Sequence, residues 1–154
     1  MPEGWSRVET ERGGLATCHE PGQLVGYLVM DASALGARRL VESLEEGLIG
    51  WLSSQGIRAE RRKNFHGVWV GNDKIAALGL HMDRGFTMHG IAINLCNDLE
   101  GFRLITPCGI TDGGVTSLRR LQEDAPGPEA AAASVAAALQ SAIAAALDAC
   151  RTAR

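Results

Sequence analysis

Gly67-Val-Trp-Val-Gly-Asn-Asp-Lys-Ile-Ala-Ala-Leu-Gly-Leu80, continued through His81-Met-Asp-Arg-Gly-Phe-Thr-Met88 to Leu95, is the stretch that decides the fold. Val68 to Val70, Ile75 to Leu80 and Met88 to Leu95 read as strands, and Gly71-Asn72-Asp73 and Asp83-Arg84-Gly85 supply the turn chemistry between them. Connections this short cannot hold the crossover helix that parallel neighbours require, so the strands form an antiparallel meander. The fold class expected is α+β: a mixed, largely antiparallel sheet flanked by helices.

Upstream, Leu24 to Met30 is a short β-forming run leading into a helix, with Asp31 and Ser33 as candidate caps. From Ala37 to Gln55 the residues Leu40, Val41, Leu44, Leu48, Ile49 and Leu52 recur at three- and four-residue steps, and Gly56 is a natural C-terminal stop. Gly47 and Gly50 inside this helix each cost about 1 kcal/mol against alanine, which predicts close packing against the sheet. Downstream, Thr111 to Ser117 reads as a loop before a short helix near Leu118 to Leu121, and Pro126 and Pro128 break the chain. Glu129 to Arg151 predicts an alanine-rich helix with a narrow stripe of Val135, Leu139, Ile143 and Leu147. Its length approaches a membrane span, but Ser134, Gln140 and Ser141 interrupt it, so it is read as a packed or peripheral helix, not a membrane anchor.

With 154 residues, 45% of them hydrophobic, the chain is expected to form a single domain, 1–154, with its own core. The net charge of -3 and the scattered basic residues argue against nucleic acid as a partner. With charges at Glu3, Arg7, Glu9, Glu11 and Arg12, no signal peptide is expected in the first thirty residues. Cysteines at 18, 96, 108 and 150 have no CxxC spacing and read as reduced thiols of a cytoplasmic protein. Cys18-His19, His66, His81 and His89 have no ligand-like grouping, so neither a metal nor a cofactor is expected.

Cys108, between Pro107 and Gly109, sits in a run suited to close approach of a substrate. As a residue type it reads either as a small buried apolar group or as a nucleophile, active as the thiolate. Lys74 opens a strand-like run and reads either as solvated or as directed into a site. Arg12-Gly13-Gly14 allows backbone to approach a ligand, with Thr17 and His19 just beyond. Arg58, Arg61, Arg62 and Lys63 form a basic cluster, either a solvated turn or a docking surface for an acidic protein.

Three segments in this order resemble the lipoyl(octanoyl) transferases: Arg12-Gly-Gly-Leu-Ala-Thr-Cys-His19 continuing through Pro21-Gly-Gln-Leu-Val25 to Tyr27, Gly67 to Ala76 with Lys74, and Thr106-Pro-Cys-Gly-Ile-Thr111. The resemblance runs from about Glu11 to Leu118. It departs at Cys18, where the family usually has an aromatic residue, and at Glu20, where it usually has glycine. It implies the catalytic domain fold of biotin and lipoate protein ligases, and an acyltransferase with Cys108 and Lys74 as its catalytic pair. It also implies substrate contacts from Arg12, Gly13, Gly14, Leu15, Ala16, Thr17, Cys18 and His19, from Ala77, Leu78 and Gly79, and from Gly90, Ile91 and Ala92.

The implied reaction moves an octanoyl group from octanoyl-acyl carrier protein, through a Cys108 thioester, to a lysine of lipoyl domains. The acceptors are those of 2-oxoacid dehydrogenase complexes and the glycine cleavage H protein, and the reaction belongs to lipoate biosynthesis. The motif begins at position 12, so the chain is expected to be N-terminally short for this family. The alternatives are a truncated, non-catalytic homologue that binds a lipoyl domain or carrier protein, an ATP-dependent ligase of the lipoate type, and a thioesterase.

Overall fold

The computed structural model describes residues 4–13, 16–105 and 113–153. Among the described residues, six strands and three α-helices follow in the order β1 (Gln23–Tyr27), α1 (Gly36–Ser54), β2 (Glu60–Arg62), β3 (Phe65–Val70), β4 (Asp73–Asp83), β5 (Phe86–Asn94), β6 (Gly114–Val115), α2 (Leu118–Leu121) and α3 (Pro128–Thr152). A 3-10 turn at Gly101–Leu104 lies between β5 and β6. The sheet order is β1-β5-β4-β3-β2, antiparallel throughout, and β6 joins β4 in parallel at Asp73 and Lys74. The meander read from the sequence is therefore present, and β6 makes the sheet mixed.

Local chemistry explains most boundaries. Asp83 and Phe86 pair across a two-residue loop, Arg84-Gly85, whose φ angles of 46° and 88° both lie in the left-handed region that a tight, twist-matched hairpin requires. At the end of α1 the amide of Ile57 donates to the Leu52 carbonyl and that of Gly56 to Ser53, with Gly56 at φ 79°. This double closure satisfies carbonyls that the helix leaves open.

Three expectations need correction. Asp31 and Ser33 do not cap α1, which starts at Gly36 after Leu35; instead Asp31 Oδ1 accepts from the Ser33 amide, 2.9 Å, and Asp31 bridges Phe86. Gly47 packs against α3, not the sheet: a Cβ there would stand 3.0 Å from the Ala138 carbonyl and the Leu139 Cα, whereas one at Gly50 would meet open space. The basic cluster is not a simple turn: Arg61 and Arg62 lie in strand β2, and the exposed Arg61 pairs with α1, its Nε 3.2 Å from Glu45 Oε2 and its Nη2 2.8 Å from Glu46 Oε2.

The core lies between one face of the sheet and the paired helices. Leu40, Leu44, Leu48 and Leu52 of α1 pack with Val68, Ala76, Ile91 and Ile93 of the strands, and Ala131, Val135 and Ile143 of α3 close the far side. Trp51 Nε1 donates to Ser134 Oγ at 2.9 Å, a polar tie between the two helices. By length and composition α3 is the one helix among the described residues that qualifies as a membrane span, yet its stripe is occupied by contact with α1. The opposite face of the sheet is free of helices α1 and α3 and carries the candidate site.

Candidate active site

Alternation along β4 is reset by one residue. Val68 pairs with Ala76 but Trp69 pairs with Lys74, so Ile75 is extra and forms a β-bulge. Consecutive Ile75 and Ala76 both join the core packed under α1. Lys74 is thereby turned to the other face, the one shared by Ala77 and Gly79. Were the same sequence paired regularly, with Ile75 opposite Trp69, the Lys74 side chain would point among the leucines.

Lys74 is only 6% exposed. Its Nζ donates to the His66 carbonyl at 3.0 Å and lies 4.9 Å from the centroid of the buried Trp69 ring, against which the Arg62 guanidinium also packs. Burial of an ammonium is costly unless it is hydrogen-bonded, and the carbonyl and aromatic face together meet that need. Gly67 makes the seat possible: at φ 124° it adopts a conformation that favours glycine, and a Cβ there would meet the Ala76 carbonyl at 2.6 Å and Lys74 Cε at 3.1 Å.

Lys74 opens into a cleft of about 230 Å³ lined also by Leu99, Phe102, Arg103, Gly113, Gly114, Val115 and Arg120. Phe102 and Arg103 precede the segment 106–112 and Gly113 and Gly114 follow it, so both described flanks of that segment reach the cleft. The downstream flank is fastened to β4: the Gly114 amide donates to Asp73 Oδ1 at 3.0 Å and the Thr116 amide to the Lys74 carbonyl at 3.0 Å. The sequence reading of 111–117 as loop missed this short strand, whose pairing is to a residue some forty positions away. Cys108 lies outside the described residues, as do Gly14 and Leu15.

The remaining predicted positions divide by face. Arg12 and Gly13 run over β4, the Gly13 amide donating to the Leu80 carbonyl at 2.9 Å. A Cβ at Gly79 would stand 3.0 Å from Arg12 Cδ and 3.5 Å from the Gly13 carbonyl, and one at Gly13 would stand 3.1 Å from the Leu80 carbonyl, which shows why glycine stands on both sides of this crossing. Ala77 pairs with Ala92, and Gly79 with Gly90, where a Cβ would collide with the Gly26 backbone. Ala77, Gly79 and Ala92 thus leave a low strip on the Lys74 face. Leu78 and Ile91 alternate to the opposite face and belong to the core, so their side chains are not in this strip.

Of Ala16, Thr17, Cys18 and His19, it is Cys18 that packs against residues lining the cleft. Cys18 is 6% exposed and packs with Leu99 and Phe102, two of the cleft-lining residues, and with Trp5 and Val115. Burial, aided by the nearby Glu20 carboxylate, pushes its thiol up to about 11, which keeps it protonated at neutral pH. His19 shares a 2.6 Å hydrogen bond between Nδ1 and Gln23 Oε1.

Glu20, one of the two departures from the family pattern, has a defined task. Its Oε1 accepts from Asn97 Nδ2 and the Leu99 amide, both at 2.8 Å, and its Oε2 from the Gly101 amide at 2.9 Å. It therefore holds the loop that carries Leu99 and Phe102 to the cleft. Sequence reading also missed Glu45, Arg103 and Arg120. For Glu45 a signal existed: it interrupts the apolar stripe Val41, Leu48, Leu52 with a carboxylate, which asks for a partner.

The apo structure of biotin protein ligase from Aquifex aeolicus superposes with a TM-score of 0.64 at 14% identity, covering 79% of this chain and 52% of that one. That likeness defines the class: the α+β catalytic fold of the biotin and lipoate protein ligases. The lipoyl protein ligase A/B catalytic domain family matches residues 3–142, and the chain belongs to that family. Among curated relatives, an octanoyltransferase from Chromohalobacter salexigens is 43% identical over 141 residues, 90% of this chain and 64% of that protein. One from Alkaliphilus metalliredigens is 47% identical over 121 residues, 77% of this chain and 56% of that protein. The chain thus spans between about half and two-thirds of the length of these relatives.

Proposed function

We propose that this domain is an acyltransferase that moves an octanoyl group from octanoyl-acyl carrier protein to a lysine of a lipoyl domain, through a thioester on Cys108. Membership of the family and relatives named octanoyltransferase support the reaction class. The observation that carries the reading is the buried ammonium of Lys74 in a cleft that both flanks of the Cys108 segment reach. A cation in that position favours thiolate over thiol.

In the first half-reaction the Cys108 thiolate attacks the thioester carbonyl carbon. A new C–S bond forms, the C–S bond to the carrier breaks, and the departing thiolate takes a proton from the Lys74 ammonium. In the second, the neutral amine of the acceptor lysine attacks the Cys108 thioester. The C–N bond forms, Cys108 leaves as thiolate, and the amine's proton returns to Lys74. The catalytic pair is restored, and no ATP is consumed because thioester aminolysis runs downhill.

The strip of Ala77, Gly79 and Ala92, crossed by Arg12 and Gly13, is the proposed bed for the acyl chain, since small side chains leave room beside the sheet. The proposed acceptors are lipoyl domains of 2-oxoacid dehydrogenase complexes and the glycine cleavage H protein, and the proposed setting is the cytoplasm, where cysteines stay reduced. The test is intact mass after mixing with octanoyl-loaded carrier protein. An octanoyl adduct is expected on the protein, absent in Cys108→Ala and passed on to added lipoyl domain. Lys74→Met is expected to lower the transfer rate by at least a hundredfold. Folded protein that never acquires the adduct refutes the proposal.

A further inference from the structure

The peptide unit between His66 and Gly67 is bonded at both ends. Its carbonyl accepts from Lys74 Nζ at 3.0 Å, and its amide donates to Glu45 Oε1 at 2.9 Å. Glu45 projects from α1, is 4% exposed, and keeps its second oxygen 3.2 Å from Arg61 Nε. The peptide dipole therefore runs with its negative end on the ammonium and its positive end on the carboxylate. Hydrogen bonds in such a chain polarise one another, and the low-dielectric surroundings strengthen the effect.

We propose that Glu45 is a positioning residue for Lys74, acting through the His66–Gly67 peptide to orient the lysine and favour its ammonium form. The proposal rests on the reading of Lys74 as the proton carrier, and it extends the site to a helix on the opposite side of the sheet. Glu45 touches no reacting atom. Its carboxylate holds the peptide, Gly67 gives that peptide the backbone angle it needs, and the carbonyl aims the ammonium into the cleft.

Other charged groups also lie around Lys74 and Glu45. Arg62 lies over the same Trp69 ring, Arg103 and Arg120 line the cleft, and Asp73 is engaged with the Gly114 amide. His66, with an exposed ring, has Nδ1 3.8 Å from Glu45 Oε1. Arg61 offsets part of the Glu45 charge. The buried carboxylate among these is Glu45, and the cations around the cleft work against the ammonium, which makes the carboxylate's contribution measurable.

The chain has only two lysines, Lys63 and Lys74, so a titration of protein labelled at lysine Cε gives two NMR signals, with Lys63 as internal reference. Glu45→Gln keeps an acceptor for the Gly67 amide but removes the charge, and its expected effect is to lower the Lys74 pKa by about one unit while Lys63 is unmoved. Arg61→Gln frees the full charge of Glu45 and raises the Lys74 pKa, by roughly a few tenths of a unit. The alkaline limb of octanoyl transfer moves with each value. An unchanged Lys74 titration in folded Glu45→Gln overturns the proposal. If that variant fails to fold, an unchanged or lowered value in Arg61→Gln does so instead. The titration needs no turnover: were Lys74→Met fully active, the proton-carrier reading would fall while the measured coupling stood.

Discussion

At position 18 a thiol is shut between Trp5, Leu99, Phe102 and the backbone of Gly101, where even an added Cβ would collide with its sulfur. The folded pKa, about 11, lies above the free value of 9.0, so the folded state holds its proton where the unfolded chain has lost it. The stabilisation is fully present below pH 9 and is lost as pH rises toward 11, at a slope of up to about 1.4 kcal/mol per pH unit. Urea unfolding of Cys18→Ala and the parent across this window is expected to show the smaller loss of stability in the variant. Equal losses would mean that the thiol titrates normally. Resemblance to a family singled out Lys74 and Cys108, but how Lys74 is seated was not legible. Its seat depends on a bulge, a carbonyl eight residues away and a carboxylate on another element, none of which has a local sequence mark.

Two glycines in α1, identical as letters, have opposite packing. Gly47 lies against the Ala138 carbonyl and Leu139 Cα, so Gly47→Ala forces α3 outward and is expected to cost about 1–3 kcal/mol. Gly50 is exposed with nothing in reach of a Cβ, so Gly50→Ala is expected to stabilise by about 0.5–1 kcal/mol through helix propensity. Thermal unfolding of the two variants should therefore move in opposite directions. The helices and the strands of the meander were legible because their hydrophobic periods are strong. Strands β2 and β6 were not, being three and two residues long, with sequences that carry charge or glycine where a pattern would be. They are strands because a longer neighbour offers them partners.

Over the whole molecule, the cleft depends on ties between remote parts of the chain. Glu20 holds Asn97, Leu99 and Gly101 across separations of 77 to 81 residues. Glu20→Ala strands two backbone amides and a side-chain amide, and is expected to destabilise by about 2–4 kcal/mol. Because the loop it holds carries Leu99 and Phe102, proton exchange at the Leu99 and Gly101 amides should accelerate more than in α1. Uniform acceleration would assign Glu20 to general stability alone. The class of fold followed from turn lengths, but which face would hold the site did not, since a two-residue period gives the faces of a strand no names.

The extra residue at Ile75 gives β4 two phases of pleat, one upstream and one downstream. A chimaera that joins the start of this strand to a regular counterpart from another scaffold would preserve every hydrophobic letter and still roll the lysine into oil. Deleting Ile75, by contrast, would restore a regular pleat with Lys74 beside Ala76, opposite Trp69 and still on the cleft face. The bulge is thus the molecule's splice junction: parts can be exchanged on either side of it, but not across it.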